Sequence, residues 1–210
     1  VVWIVMMTNA VNFIDGLDGL AVGVSGISTA TMLVIAILLG EDSVAVILAA
    51  LLGACLGFIP YHSTPAQLFM GDTGSTFLGF VLAGLSIQGL FKMYAVISFL
   101  VPFLILGVPV FDITFAVIRR LARHQNPMTA DRGHIHHRLI DMGLSQKQSV
   151  AIVYMLTGIL GLAAVLLANS TGVKTFILFA AVCVVAVVGF AVIFGPHRRP
   201  PEKKESEKTK

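Results

Sequence analysis

Between two apolar segments, residues 1–8 and 20–39, lies the string Asn9-Ala-Val-Asn12-Phe-Ile-Asp15-Gly-Leu-Asp18-Gly-Leu-Ala21, with two amides and two carboxylates at three-residue intervals. Lipid cannot solvate such groups: a carboxylate at the bilayer centre costs roughly 2.5–3.5 kcal/mol even on lenient insertion scales. These side chains therefore lie at the water boundary or line a polar cavity, and either placement marks a functional site. The spacing predicts that Asn9, Asn12, Asp15 and Asp18 share one helix face. Gly16 and Gly19 weaken an uninterrupted helix and suit close approach of backbone to a ligand. The plainer alternative is that Asn9 caps a helix end and the aspartates decorate a loop.

Of 210 residues, 57% are hydrophobic and 12% charged, whereas an ordinary soluble domain carries about 25% charged residues. That balance excludes a soluble globular fold and predicts an all-α, polytopic transmembrane helical bundle. Apolar runs fall at 1–8, 20–39, 44–61, 74–91, 94–118, 149–168 and 173–195. At about 20 residues per span, they make about six full spans plus one truncated N-terminal span. Pro102 and Pro109 predict that the run 94–118 is kinked or broken. The chain opens inside an apolar run without an initiator Met, and we expect a fragment whose N-terminal part is missing. Residues 1–195 are expected to form one transmembrane domain, and the charged, proline-containing stretch 196–210 a disordered cytoplasmic tail. Cys55 and Cys183 lie in apolar runs and read as buried small side chains, not as a disulfide framework.

Alternating the spans sorts the connections onto two sides. One side holds 9–19, 62–73, 119–148 and the tail, and of the 14 basic residues only Lys92 and Lys174 fall on the other. The positive-inside rule makes the basic side cytoplasmic. Each polar cluster with chemical potential lands on that side without having been used to assign it.

A second cluster is Phe69-Met-Gly-Asp72-Thr-Gly-Ser75, with a carboxylate between two glycines just before an apolar run. Such a turn at a helix N-terminus suits a metal–phosphate pair; alternatively, Asp72 or Ser75 is a simple N-cap. Asn and Asp oxygens are hard ligands suited to Mg²⁺. Phe69 can stack on a base or anchor a membrane boundary. A third cluster joins His134, His136 and His137 with Arg119, Arg120, Arg123, Arg132 and Arg138. Guanidinium groups capture phosphate oxygens in a planar fork, and histidine adds donors or a proton relay. A zinc site from the three histidines competes, as does a basic loop resting on anionic lipid. Asp112, inside the proline-broken run, is expected to face the bundle interior. His62 and Asp141 read as boundary or loop residues. Taken together, the clusters point to Mg²⁺-assisted phosphoryl chemistry at the membrane surface.

The string 9–21, the turn 69–75 and Thr129-Ala-Asp-Arg-Gly-His134-Ile-His136-His137-Arg138-Leu resemble the polyprenyl-phosphate N-acetylhexosamine-1-phosphate transferases of glycosyltransferase family 4. Within them the likeness is to the bacterial undecaprenyl-phosphate N-acetylglucosamine 1-phosphate transferases. The phospho-N-acetylmuramoyl-pentapeptide transferases are cousins, with three adjacent histidines where Ile135 intervenes here. The resemblance implies a bacterial plasma-membrane enzyme in which undecaprenyl phosphate attacks UDP-N-acetylglucosamine and UMP leaves, the first membrane step of a cell-wall glycopolymer. It implies that Asp72 and Asn12 bind Mg²⁺, with Mn²⁺ as a substitute. Asp15 and Asp18 are then expected at the nucleotide, with Asp18 toward uracil and Phe69 stacked on it. His134, His136, His137 and Arg138 are expected to face the pyrophosphate and sugar, with Arg132 on the same substrate. Asp15, Asp72, His136 and His137 are the expected catalytic groups. Membrane lipid is a partner, nucleic acid is not, and a homodimer is compatible with the sequence. Family members also carry an Asp-Asp pair on an earlier cytoplasmic loop. None occurs here, so this chain alone is expected to be inactive.

Two rival classes have features in their favour. A transporter would explain a proline-broken helix and carboxylates at the membrane edge, but it should carry polar groups near the bilayer midplane. An intramembrane zinc hydrolase would explain the histidines, but no HExxH pattern is present.

Overall fold

A computed structural model describes residues 1–90, 95–122 and 134–169. The described chain is helical throughout, without strands: α1 Val2–Ile14, α2 Leu20–Leu38, α3 Asp42–His62, α4 Gly71–Leu90, α5 Ala95–Ile105, α6 Gly107–Ala122, α7 Ile135–Asp141 and α8 Gln146–Ala168. Of these, α2, α3 and α8 are long and apolar enough to cross a membrane. The expected span at 173–195, the tail 196–210, Cys183, Lys92, Lys174, Arg123 and Arg132 lie outside the described residues.

The helix α2 sits between α3 and α8, α1 lies along α4 and against α6, and α8 also packs on α5. One large apolar cluster runs through the bundle, including Met7, Met32, Ile35, Leu48, Leu82, Ile105 and Leu167. A smaller one, with Ile14, Leu20, Val24, Leu139, Val150 and Val153, ties α7 to α1, α2 and α8. Lipid offers no hydrophobic contrast between helices, so close backbone approach has to supply the attraction. Gly79 of α4 shows this: a Cβ there would stand 2.7 Å from Thr8 Cα and 2.8 Å from the Met7 carbonyl oxygen. Any side chain would part α1 from α4.

The expected break in the run 94–118 falls at Leu106, between α5 and α6. Its cause is legible atom by atom. Pro109 has no N–H to give the carbonyl four residues earlier, that of Ile105. The Ser28 hydroxyl of α2 takes the vacant place, donating to Ile105 O at 3.0 Å. The segment 119–148, expected as a loop, contains a helix of its own in α7. After it, Ser145 and Gln148 close a reciprocal capping box that starts α8.

Candidate active site

The end of α1, the start of α2, the end of α3, the start of α4 and α7 meet around a polar patch. The helix α1 stops at Ile14, so Asp15 is its C-cap and Asp18 lies in the turn beyond. The single helix face expected for Asn9, Asn12, Asp15 and Asp18 is therefore not formed: α1 stops at Ile14, and Gly19, with left-handed backbone (φ 81°), starts α2. Asn9 sits mid-helix, exposed, with Nδ2 donating to the Val5 carbonyl at 2.7 Å. It caps nothing and joins no cluster.

The other three each reach a distant segment. Asn12 Oδ1 accepts from the Ser75 hydroxyl at 2.6 Å, which ties α1 to the first turns of α4. Asp18 Oδ2 accepts the Ala66 N–H at 3.1 Å. Asp15 Oδ1 lies 3.4 Å from Nε2 of His62, an ion-pair distance too long for a good hydrogen bond. His62, expected as a boundary residue, is instead buried in the last turn of α3. Its Nδ1 is 2.8 Å from the Leu68 carbonyl oxygen. A carbonyl can only accept, so Nδ1 carries hydrogen and Nε2 is the nitrogen turned to Asp15. A polar residue closing an apolar run was the available signal, and it is a weak one.

Asp72 is exposed in the first turn of α4, where the helix dipole favours negative charge. Burial raises the Asp15 carboxyl above its ordinary pKa; His62 opposes that rise and the charge of Asp72 adds to it. Phe69, in the loop before α4, is 79% exposed.

The histidines form the opposite wall. Asp112 of α6 is buried, and its two oxygens reach two groups: Oδ2 lies 2.9 Å from His134 Nδ1, and Oδ1 accepts the Ile135 N–H at 2.9 Å. The expected inward orientation of Asp112 is therefore observed. The His134 ring stands between Phe13, at 5.8 Å, and His136, at 5.9 Å and nearly parallel. His137 follows at 4.3 Å from His136. His136 is buried, and among the described residues its Nε2 has no hydrogen-bond partner. A Cβ on Gly16 would stand 2.6 Å from that nitrogen, so the missing side chain at Gly16 makes room for the ring. Burial, reinforced by His137 and His134, lowers the His136 pKa to about 4 against a weaker pull from Asp112. The imidazole is neutral at physiological pH. Arg138 is half-buried on α7, and Asp141 ends that helix exposed.

Among the described residues, no three His, Cys, Asp or Glu side chains are grouped to hold a metal. The zinc reading of His134, His136 and His137 accordingly lacks support in the geometry. The patch instead sets an acidic and amide wall against a histidine wall, with Gly16 at the joint.

Residues 1–90 match the glycosyl transferase family 4 model. A Bacillus subtilis protein named "Probable undecaprenyl-phosphate N-acetylglucosaminyl 1-phosphate transferase" is 44% identical over 180 residues, covering 85% of this chain and 50% of that protein. The chain belongs to glycosyl transferase family 4. A decaprenyl-phosphate N-acetylglucosaminephosphotransferase of Mycolicibacterium smegmatis is 36% identical over 76% of the chain and 44% of that protein. A phospho-N-acetylmuramoyl-pentapeptide-transferase of Rubrobacter xylanophilus is 39% identical over 70% of the chain and 43% of its own length. The family 4 chain thus spans about half the length of these relatives. The family match covers the whole acidic wall and the turn at Asp72.

Proposed function

We propose that the protein acts in the transfer of N-acetylglucosamine 1-phosphate from UDP-N-acetylglucosamine to undecaprenyl phosphate, with release of UMP. An oxygen of the lipid phosphate bonds to the sugar-linked phosphorus. The bond from that phosphorus to the bridging oxygen of UMP breaks, and UMP departs with the electron pair. The site is assigned to the cytoplasmic face of a bacterial plasma membrane, within a bundle of about six full spans and a shorter first one.

The observation that carries this reading is the meeting of Asn12, Asp15 and the Asp72 turn with the histidine wall across Gly16, in a chain with the relatives above. The donor set also fits Mg²⁺. Asp72 and Asn12 offer hard oxygens, and the negative charge of Asp72, which adds to the effect of burial in raising the Asp15 pKa, is one a divalent cation would offset. When bound, Mg²⁺ or Mn²⁺ supplies neutralisation of the diphosphate charge. The residues themselves do the rest. Asp72 and Asn12 hold the ion; Asp15 and Asp18 orient the nucleotide, and the exposed Phe69 ring offers the uracil a stacking face. His136 and His137, with Arg138 and Arg132, bind the diphosphate and sugar. A bundle with its polar side chains gathered around helix ends supports an interfacial enzyme over a transporter, whose site belongs near the midplane.

The test uses membranes containing the parent protein of the expected fragment, since this chain alone is expected to be inactive, with labelled UDP-N-acetylglucosamine, undecaprenyl phosphate and Mg²⁺. Labelled lipid and stoichiometric UMP are expected, and both should vanish with chelator and return with Mg²⁺ or Mn²⁺. Absence of both products under all conditions would refute the reading. Product formed only from UDP-N-acetylmuramoyl-pentapeptide would reassign the donor to that of the Rubrobacter relative.

A further inference from the structure

Asp112 belongs to no motif that marks the family resemblance, yet both its oxygens bond within the histidine wall. Its carboxylate is 3% exposed, and a carboxylate so placed is costly unless its oxygens are bonded. Both are. The Ile135 N–H is the first amide of α7, which has no partner inside its own helix. The N-cap residue His134 gives it no side-chain bond; Asp112 supplies the cap from α6, 23 residues away. The second oxygen faces His134 Nδ1 at 2.9 Å. An ionised carboxylate can only accept, so Nδ1 is the donor and carries hydrogen. The ring also has Phe13 and His136 as neighbours, their centroids 5.8 and 5.9 Å away. Position, tilt and tautomer of His134 are thus determined by three neighbours, and Nε2 is left as the nitrogen it can offer a substrate.

We propose that Asp112 is a positioning residue of the transfer reaction: by capping α7 and accepting from Nδ1, it holds His134 with Nε2 as the ring nitrogen offered to the diphosphate-sugar. This rests on the function proposed above. Asp112 acts through His134, as a carboxylate behind a catalytic histidine acts through the ring it orients.

The replacement Asp112→Asn separates this role from simple packing. The amide has nearly the same shape but only one oxygen. If that oxygen keeps the Ile135 N–H, the NH₂ group turns to His134 Nδ1, which must then accept, and the hydrogen moves to Nε2. The chain has six histidines, so protein labelled with ¹⁵N-histidine gives a tractable spectrum, with His134 identified by its loss in His134→Gln. The expected resting state has hydrogen on Nδ1 in the parent and on Nε2 in Asp112→Asn. In the transfer assay, Asp112→Asn should lower kcat by about 100-fold and change KM for the nucleotide sugar less than about threefold. Asp112→Glu should restore part of the rate. Combined with His134→Gln, Asp112→Asn should cost no more than His134→Gln alone.

Multiplying losses in the double variant would overturn the proposal, as would hydrogen on Nε2 in the parent. Should Asp112→Asn fail to accumulate, the parent spectrum still decides, because hydrogen on Nε2 there contradicts the assignment outright. The tautomer is read without substrate, so a parent protein that makes no UMP refutes the proposed function and leaves the His134 assignment to the spectrum.

Discussion

The two walls of the site solve the problem of polar groups in an apolar bundle in opposite ways. The acidic wall is half-buried or exposed, and its side chains each reach a distant segment: Asn12 and Asp18 by hydrogen bonds to Ser75 and the Ala66 amide, Asp15 by an ion-pair contact with His62. Asp72 stays exposed at its helix start. The histidine wall is drier. His134 and His136 are buried in a stack, braced by one carboxylate, and His136 is neutral for want of solvation. Apart from Asp112, whose two oxygens are both bonded, carboxylates are kept where water or an ion can answer them, and the neutral His136 ring is kept where neither can. On the proposed reading this divides the labour. The acidic wall answers the charge of a cation bound to the diphosphate, and the histidine wall supplies geometry.

The comparison breaks most severely at Asp72. Replacing it with Asn keeps the size of the side chain and removes the exposed negative charge, leaving an amide that is a weaker ligand for a hard cation. In the transfer assay we expect turnover to fall by about 100-fold or more, a loss of the order seen when a transition-state charge loses one of its stabilisers. The loss should ease in part as Mg²⁺ is raised. Unchanged turnover at limiting Mg²⁺ would take Asp72 out of the metal role and make the acidic wall a structural feature. Asp15 provides an internal check. Because the charge of Asp72 helps raise the Asp15 pKa, Asp72→Asn should lower it, and a carboxyl titration that rises instead would contradict the arrangement.

The joint between the walls gives a smaller effect. Gly16 is exposed and does not need a left-handed backbone, so alanine is conformationally acceptable there. Its methyl would nevertheless stand 2.6 Å from His136 Nε2, inside contact distance. The buried ring must move by roughly 1 Å, and displacements of that size at a catalytic group can cost 100-fold in rate. Since His136 lies at the end of a side chain that can tilt, we expect about a tenfold fall in kcat, with thermal unfolding unchanged. A variant with wild-type kcat would show that His136 need not occupy its place over Gly16. A variant that instead loses nucleotide-sugar affinity alone would move the joint from catalysis to binding.

Much of this was legible in the sequence, and what was not has a common cause. Local pattern located α2, α3 and α8 to within three residues at each end, and the prolines announced the break before α6. The motif strings marked Asn12, Asp15, Asp18, Asp72 and His136, all of which border the patch. The partners were hidden. His62 looks like the end of an apolar run, Ser28 like any small polar residue in a helix, and α7 like the middle of a basic loop. Their importance comes from residues far along the chain, Asp15 for His62 and Ile105 for Ser28, and no local periodicity records such a pairing. The expected helix face of Asn9, Asn12, Asp15 and Asp18 failed for the complementary reason. Spacing alone counts residues, whereas the glycine-bearing string 15–19 forms a turn between α1 and α2 that breaks the alignment.

The gentlest perturbation addresses how firmly the acidic wall is held. The Ser75 hydroxyl has one hydrogen and three acceptors within reach: Asn12 Oδ1 at 2.6 Å, the Gly71 carbonyl at 3.0 Å and the Asp72 carbonyl at 3.3 Å. The last two belong to its own helix and persist as fallback bonds only because the hydroxyl can rotate. The shortest is the one that crosses to α1, so Ser75→Ala removes a link between helices and leaves the α4 backbone ladder intact. Asn12 is half-buried, which lets water replace the lost donor, and the net cost of such a bond is about 1 kcal/mol. On the proposed reading that cost should appear in the Mg²⁺ concentration needed for half-maximal turnover, raised about fivefold, because Asn12 Oδ1 would no longer be held beside the Asp72 turn. Turnover at saturating Mg²⁺ should stay within about twofold of the parent, since no charge has been removed. If the saturating rate falls while the Mg²⁺ requirement does not change, Ser75 serves the helix pair rather than the ion, and Asn12 leaves the proposed ligand set.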